Sequence, residues 1–226
     1  PESVMNYATT YLRIYFIGII PNLIYNMGAG ILRAIGDSRR PLLFLIAGCF
    51  TNIVLDLLFV VQFGMEVAGA AWATIISQAV SAILVILVLT RTSESYKLHV
   101  KKLRMDKVLV RRIVEIGLPA GLQSVIYNIS NIIIQSSVNT LGTTTIAAYT
   151  AYSKIDSLFW MIMSAFGISI TTFVGQNYGA NKPKRVKRGV NVCLGMSFIT
   201  TIILSLILYF FGVYIFRLFS SDPAVL

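Results

Sequence analysis

Charge is scarce in this chain, and most of it is kept out of the longest stretches. Charged residues make up 12% of the 226 positions, with 9 acidic against 19 basic side chains. The single histidine, His99, stands in a basic segment, which excludes a histidine-built transition-metal centre. The two cysteines, Cys49 and Cys193, each fall inside an apolar run, so no disulfide framework is expected. GQNYGANKPKRVKRG, residues 175–189, fails the G-x-x-x-x-G-K-[ST] spacing, and no other stretch offers a phosphate-binding loop for a nucleotide motor. No nucleophile–base pair or paired carboxylates stand at one depth, so an enzyme is not expected. No signal peptide is visible, and the start at Pro1 with the stop at Leu226 soon after a span suggests the middle of a longer protein.

What the chain has is apolar length. The residues AVILMFWYC reach 56% and the mean hydropathy is +0.77, more than a soluble domain of this size can bury. The runs are long and continuous rather than short and alternating, so the expected class is an all-α polytopic membrane protein and not a barrel. Six spans are expected, from about 8–34, 41–63, 67–90, 117–141, 146–174 and 190–216, the last followed by FSSDPAVL. Of the 19 Lys and Arg, 15 lie in three connections: two at Arg39 and Arg40, eight from Arg91 to Arg112, five from Lys182 to Arg188. The connections at 64–66 and 141–145 carry none. This alternation is the positive-inside pattern and places the basic loops in the cytoplasm of a cell-membrane protein. The basic stretch 91–116, with Leu103, Val110, Ile113 and Val114 recurring among its cations, resembles a helix lying on an anionic lipid surface. It divides the chain into three-span groups at 1–90 and 117–226. Lipid, not nucleic acid, is the expected partner of the charge, and the chain is expected to work as a monomer.

Several positions predict local structure. Pro21 interrupts the first span and should kink it, as a hinge or as a packing bend, while Gly28 and Gly30 permit close helix contact. In GDSRRP, residues 36–41, Gly36 stops one helix and Pro41 opens the next, and Asp37 either pairs with Arg39 and Arg40 or is solvated.

The most informative stretch is NIVLDLLFVVQFGMEVAGAAWAT, residues 52–74. Asp56 lies about seven residues before the end of one run and Thr74 about seven after the start of the next. At about 1.5 Å of rise per residue both sit roughly 10 Å below the same surface. Asn52 is one turn from Asp56 and shares its face. Carboxylates are costly in hydrocarbon and mark ion or substrate pathways, although a structural Asp hydrogen-bonded between helices is also compatible. Na⁺ and H⁺ would compete for this carboxylate, and no other cofactor or metal is expected.

The fourth span is unusually polar. Gln123, Tyr127, Ser130 and Ile134 form one stripe, with Asn128, Asn131 and Gln135 alongside, fitting either interhelical hydrogen bonding or a cavity wall. In the fifth, Lys154 and Asp156 are two apart and cannot face each other. Each should look into the bundle or toward the outer interface. The aromatic and sulfur-rich run Phe159, Trp160, Met161 and Met163 suits lipid or a pocket. The candidate substrate cavity is thus Gln123, Tyr127, Asn128, Asn131, Lys154 and Asp156.

LRAIGDSRRP (32–41), NIVLD (52–56), VAGAAWAT (67–74), EIGLPAGLQ (115–123) and VGQNYGANKPKR (174–185) together resemble the multidrug and toxic compound extrusion (MATE) family, in order and spacing along essentially the whole chain. The resemblance implies the fourth to ninth of twelve helices, the end of one lobe and the start of the next. It also implies cation-coupled antiport of cationic amphiphiles by alternating access of the two lobes. The family's amino-terminal-lobe cation site resembles Asn52, Asp56 and Thr74, completed by an aspartate on a first helix that this chain does not contain. Other members carry a glutamate on the seventh helix, where this chain has Tyr127, and an aspartate on the tenth, which would lie beyond Leu226. A lipid-linked precursor flippase of the same superfamily is the rival reading; its cavity would favour anionic headgroups.

The charge partition generates a direct test. Single cysteines placed at Glu66 and His99 in a cysteine-free parent should label from opposite sides of the membrane. Labelling of both from outside rejects the topology.

Overall fold

The structure is a computed structural model that describes residues 2–217. Seven α-helices follow one another: α1 Glu2–Ile17, α2 Ile19–Ala34, α3 Arg39–Asp56, α4 Glu66–Arg91, α5 Lys107–Asn139, α6 Thr143–Gly179 and α7 Pro183–Arg217. A π-helical segment, Leu57–Gln62, continues α3, and a single 3₁₀ turn, Val100–Lys102, precedes α5. No strand occurs among the described residues. The external end expected at 219–226 lies outside them.

Four helical stretches are long and apolar enough to cross a membrane: 39–62, 66–91, 144–179 and 183–212. The bent pair 7–17 and 19–34 makes a fifth if it forms one span. α5 is the remaining candidate among the six expected. Its 33 residues, about 50 Å of helix, give ample length. Its basic first turns and its amides and hydroxyls keep its apolarity below that of the others.

The chain divides into two compact units, Pro1–Leu103 and Arg104–Leu226. In the first, α4 is the centre, with α1, α2 and α3 all packed along it. Small residues set the separations. A side chain at Gly28 would meet Val85 Cγ2 at 2.7 Å, and one at Gly48 would strike Ser81 Oγ. At the far end Gly69 leaves room for Phe59, whose Cβ would lie 3.0 Å from an added methyl. Gly30, the other glycine expected to serve a contact, has nothing within 4 Å. It sits two residues, some 200°, around the helix from Gly28. Above and below these contacts Tyr25, Ala29 and Ala82 form one buried cluster and Leu32, Val85 and Leu89 another. Polar bonds also cross between helices: Tyr25 Oη donates to the Pro41 carbonyl at 2.9 Å, and Ser81 Oγ to the Phe44 carbonyl at 3.0 Å.

The bend in the first span falls at Gly18, one turn before Pro21. The two arms meet at 43°. Proline has no N–H for the carbonyl four residues back and its ring crowds that carbonyl, which here belongs to Ile17, the last residue of α1. Pro21 therefore falls in the first turn of α2, where a missing N–H costs nothing. Gly18 is buried, and an added Cβ there would meet Ile75 Cγ1 at 2.7 Å.

The 36–41 turn follows its chemistry. Gly36 takes φ +92°, and Asp37 Oδ1 accepts from the backbone N–H groups of Arg39 and Arg40, each at 3.1 Å. The Asp37 carboxylate also pairs with Arg40 Nε at 3.3 Å, whereas Arg39 contributes only its backbone. The 91–116 connection is less helical than expected. Tyr96 and Leu98 pack back onto the Leu32–Val85–Leu89 cluster, and Leu98 N–H donates to the Leu89 carbonyl at 2.8 Å. Helix resumes at Lys107, where Asp106 caps it by accepting from Val108 N–H at 2.8 Å, so residues 107–116 and the fourth span are one continuous helix.

In the second unit α6 packs against both α5 and α7. Gly189 on α7 lies directly on the ring of Phe173, and Thr201 Oγ1 approaches Met163 Sδ at 3.8 Å. The exposed surface of the unit is largely apolar, with Ile126, Ile132, Met161, Leu194, Phe198 and Phe210 each more than 50% exposed, as expected where lipid rather than water is the neighbour.

The glycine contacts predict an asymmetry. Gly28→Ile drives a branched side chain into Val85 and should cost about 1–3 kcal/mol of stability. Gly30→Ala meets nothing and should be neutral or stabilising by about 0.5–1 kcal/mol through helix propensity. Thermal unfolding of the two variants in detergent checks both.

Candidate functional site

Two polar constellations stand out, one in each unit. In the first unit Asn52 and Asp56 occupy successive turns at the end of α3, and Thr74 lies on the adjoining α4. All three are half-buried. Asp56 is six residues before Gln62 and Thr74 eight after Glu66, about 9 and 12 Å from the respective helix ends.

The bonding is unequal. Thr74 Oγ1 donates to the Ala70 carbonyl at 2.9 Å, which satisfies its proton and leaves its lone pairs free. Asn52 Nδ2 and Asp56 Oδ1 are buried and have no hydrogen-bond partner. A purely structural carboxylate would be expected to find a partner, because an unsatisfied buried polar group costs about 1–3 kcal/mol. Rotation of the Asn52 amide by a half-turn exchanges its nitrogen for its oxygen, so the pair can present either a donor or a second oxygen. With Thr74 the set is one carboxylate, one amide and one hydroxyl: hard oxygen ligands suited to an alkali cation or a proton. The described residues hold no group of three His, Cys, Asp or Glu, so of the three residues named here Asp56 alone brings a carboxylate. The π-helical segment begins at the next residue, Leu57. Such segments recur at functional sites in α-helices, and nothing in the composition signalled this one.

In the second unit a groove of about 910 Å³ runs between α5 and α6. It contains Gln123, Tyr127, Asn128, Asn131 and Asp156 of the sequence-predicted set. Lys154 is not among its lining residues: two residues before Asp156, it points some 200° away and is exposed. Ser130 and Ile134 also leave the predicted stripe. The α5 wall follows 120, 123, 124, 127, 128, 131 and 135, and Ser130 Oγ turns back to the Ile126 carbonyl at 2.9 Å. Tyr149, Tyr152, Ser153, Ser157 and Trp160 complete the facing wall. Their spacing from Asp156 is that of one helical face, so the period that found the α5 stripe would have found them too. Trp160 packs edge-on to Tyr127, centroids 6.0 Å apart, which places it in the groove and not toward lipid. Asp156 is the one charged residue lining the groove. Aromatic faces, amides and a lone carboxylate together can hold a flat, partly apolar cation.

A family model described as MatE matches residues 1–58 and 119–226. The chain belongs to the MATE family. It is 34% identical over 225 residues to the probable multidrug resistance protein YpnP of Bacillus subtilis (strain 168), covering 99% of this chain and 50% of YpnP. It is 26% identical over 232 residues to a FAD transporter of Shewanella oneidensis, covering 100% of this chain and 51% of that protein. Among solved structures, a mutant of the Vibrio cholerae MATE transporter VcmN superposes with a TM-score of 0.86 at 22% identity, over 100% of this chain and 51% of that one. The chain thus spans about half the length of the curated relatives it matches. Membership in the MATE family, with the apolar helices described above, makes it a multi-pass membrane protein.

If Asn52 Nδ2 and Asp56 Oδ1, which have no hydrogen-bond partner among the described residues, serve a ligand and not the fold, removing them should not weaken the protein. Asn52→Leu/Asp56→Leu should unfold at a temperature equal to or a few degrees above the parent's, since about 1–3 kcal/mol of unsatisfied polar burial is relieved. A clear fall in the melting temperature in detergent would show instead that the pair holds α3 and α4 together.

Proposed function

We propose that the full-length MATE protein is a secondary active antiporter of the cell membrane that exports cationic amphiphiles in exchange for Na⁺ or H⁺. The observation that carries this reading is the buried, partnerless pair of polar atoms at Asn52 and Asp56 within an apolar span. Such a pair is costly unless an ion visits it, and an ion that binds one conformation better shifts the population toward it. Thr74 supplies a further oxygen. The α5–α6 groove supports a cationic cargo, because its lining includes Asp156 and no Lys or Arg. The same feature weighs against a flippase for lipid-linked precursors, whose anionic headgroups would need basic residues there.

In this reading six spans and two lobes are retained, with α5 as the most polar span because it walls the cavity. The basic connections at 36–41, 91–116 and 175–189 face the cytoplasm, and the protein functions as a monomer. The units on either side of Leu103 and Arg104 would belong to the two lobes that alternate in access.

Asp56→Asn keeps the side-chain shape and removes the exchangeable charge. In the full-length protein it should abolish ion-driven export of an ethidium-like dye from loaded cells while leaving membrane insertion intact. Thr74→Ala should weaken coupling several-fold, since one neutral ligand is lost. Export by folded Asp56→Asn with unchanged dependence on the Na⁺ and H⁺ gradients refutes the assignment.

A further inference from the structure

A second cavity lies further along α6 than the groove, between α6 and α7, and has a different character. It measures about 580 Å³ and is walled by Phe166, Ile170 and Phe173 of α6 and by Val192, Cys193 and Met196 of α7. Its only charged lining residues are Arg185 and Arg188, both exposed near the start of α7. From Arg185 to Met196 the cavity wall covers 11 residues of helix, about 16 Å. That is close to half of the ~30 Å hydrocarbon thickness, the depth of one leaflet.

The two arginines stand in a basic run without an acidic residue. Lys182, Lys184, Arg185, Lys187 and Arg188 fall within seven residues, and no Asp or Glu occurs between Asp156 and Asp222. The described salt bridges are Asp37–Arg40 and Arg111–Glu115, and neither involves Arg185 or Arg188. Cations beside a helix N-terminus are also on its unfavourable end, since the macrodipole there is already positive. Helix stability therefore does not explain the cluster, whereas an external anion at headgroup level would satisfy it.

We infer that the α6–α7 crevice binds an acidic phospholipid. One acyl chain lies along Phe166, Ile170, Phe173, Val192 and Met196, and the phosphate meets Arg185 and Arg188. The lipid is bound as a fixed partner of the fold and not as cargo: the crevice is separate from the α5–α6 groove and shares no lining residue with it. Charge complementarity selects an acidic over a zwitterionic lipid. The apolar wall selects a lipid over free phosphate. The inference requires only that α6 and α7 span the bilayer, and it does not depend on the antiport reading.

The test uses the full-length protein, purified in detergent with phosphatidylglycerol or phosphatidylcholine and examined by native mass spectrometry. Phosphatidylglycerol should be retained and phosphatidylcholine lost. Arg185→Gln/Arg188→Gln should lower phosphatidylglycerol affinity by about twenty-five-fold, roughly fivefold per cation removed. Lys101→Gln/Lys102→Gln, which removes two cations that do not line the crevice, should change it little. Val192→Trp narrows the crevice with both arginines intact and should also release the lipid, which separates site loss from loss of charge or fold. Three results overturn the inference: equal retention of phosphatidylcholine, undiminished phosphatidylglycerol binding by a folded Arg185→Gln/Arg188→Gln protein, or no retained phospholipid in the parent, as when another segment of the chain fills the crevice.

Discussion

Close approach to α4 is the constraint on which the first unit depends. Hydrocarbon offers no hydrophobic drive between apolar helices, so their association rests on van der Waals fit and on the few polar bonds that cross. Gly28 against Val85, Gly48 against Ser81 and Gly69 against Phe59 each bring a helix backbone within reach of α4 or its flanking turn. The Ser81 hydroxyl can reach the Phe44 carbonyl because Gly48, one turn further along α3, has no side chain to push the helices apart. The same proximity sets Thr74 beside the helix that carries Asp56. Packing and candidate chemistry are therefore one arrangement seen at two positions along the same pair of helices.

The polar groups of the two units are handled differently. On α5 most hydroxyls and amides bond to their own helix, as Ser124 to Ala120, Asn128 to Ser124 and Ser137 to Ile133. They are satisfied locally and can still offer lone pairs to a visitor in the groove. Asn52 and Asp56 have no such local solution. A groove lined by satisfied groups suits varied cargo, since no single partner is required, whereas an unsatisfied pair demands a specific small one. This division matches what a coupled transporter needs from its two sites.

Much of this was legible in the sequence because the decisive signals are strong in hydrocarbon. A carboxylate in an apolar run, basic residues in alternate connections and glycines at helix contacts each carry a large energetic penalty or benefit. Asn52, Asp56 and Thr74 were singled out by depth arithmetic, Gln123 and Tyr127 by helical period, and Asn128, Asn131 and Asp156 as polar groups within spans. Lys154 falls outside the groove because, two residues from Asp156, it lies some 200° around α6. The bend moved from Pro21 to Gly18 because proline acts on the carbonyl one turn earlier. The return of Tyr96 and Leu98 to the core was hidden in a segment whose composition is dominated by charge. The π-helical segment had no sequence signal at all, since Leu57–Gln62 reads as ordinary apolar helix.

That segment changes the phase of the helix. Through an α-helix each residue turns by a fixed increment, so the faces of Asn52, Asp56 and any residue beyond them are locked together. Bonding to the fifth residue back, as Phe63 N–H does to the Leu58 carbonyl at 3.0 Å, winds the chain more slowly. The six residues after Asp56 therefore come out rotated relative to a continuous α-helix. Phe59 can then be directed to Gly69 by the needs of packing while Asp56 is directed by the needs of its own site. The π-helical segment acts as a coupling between two shafts cut at different angles, and it lets one helix answer to two neighbours.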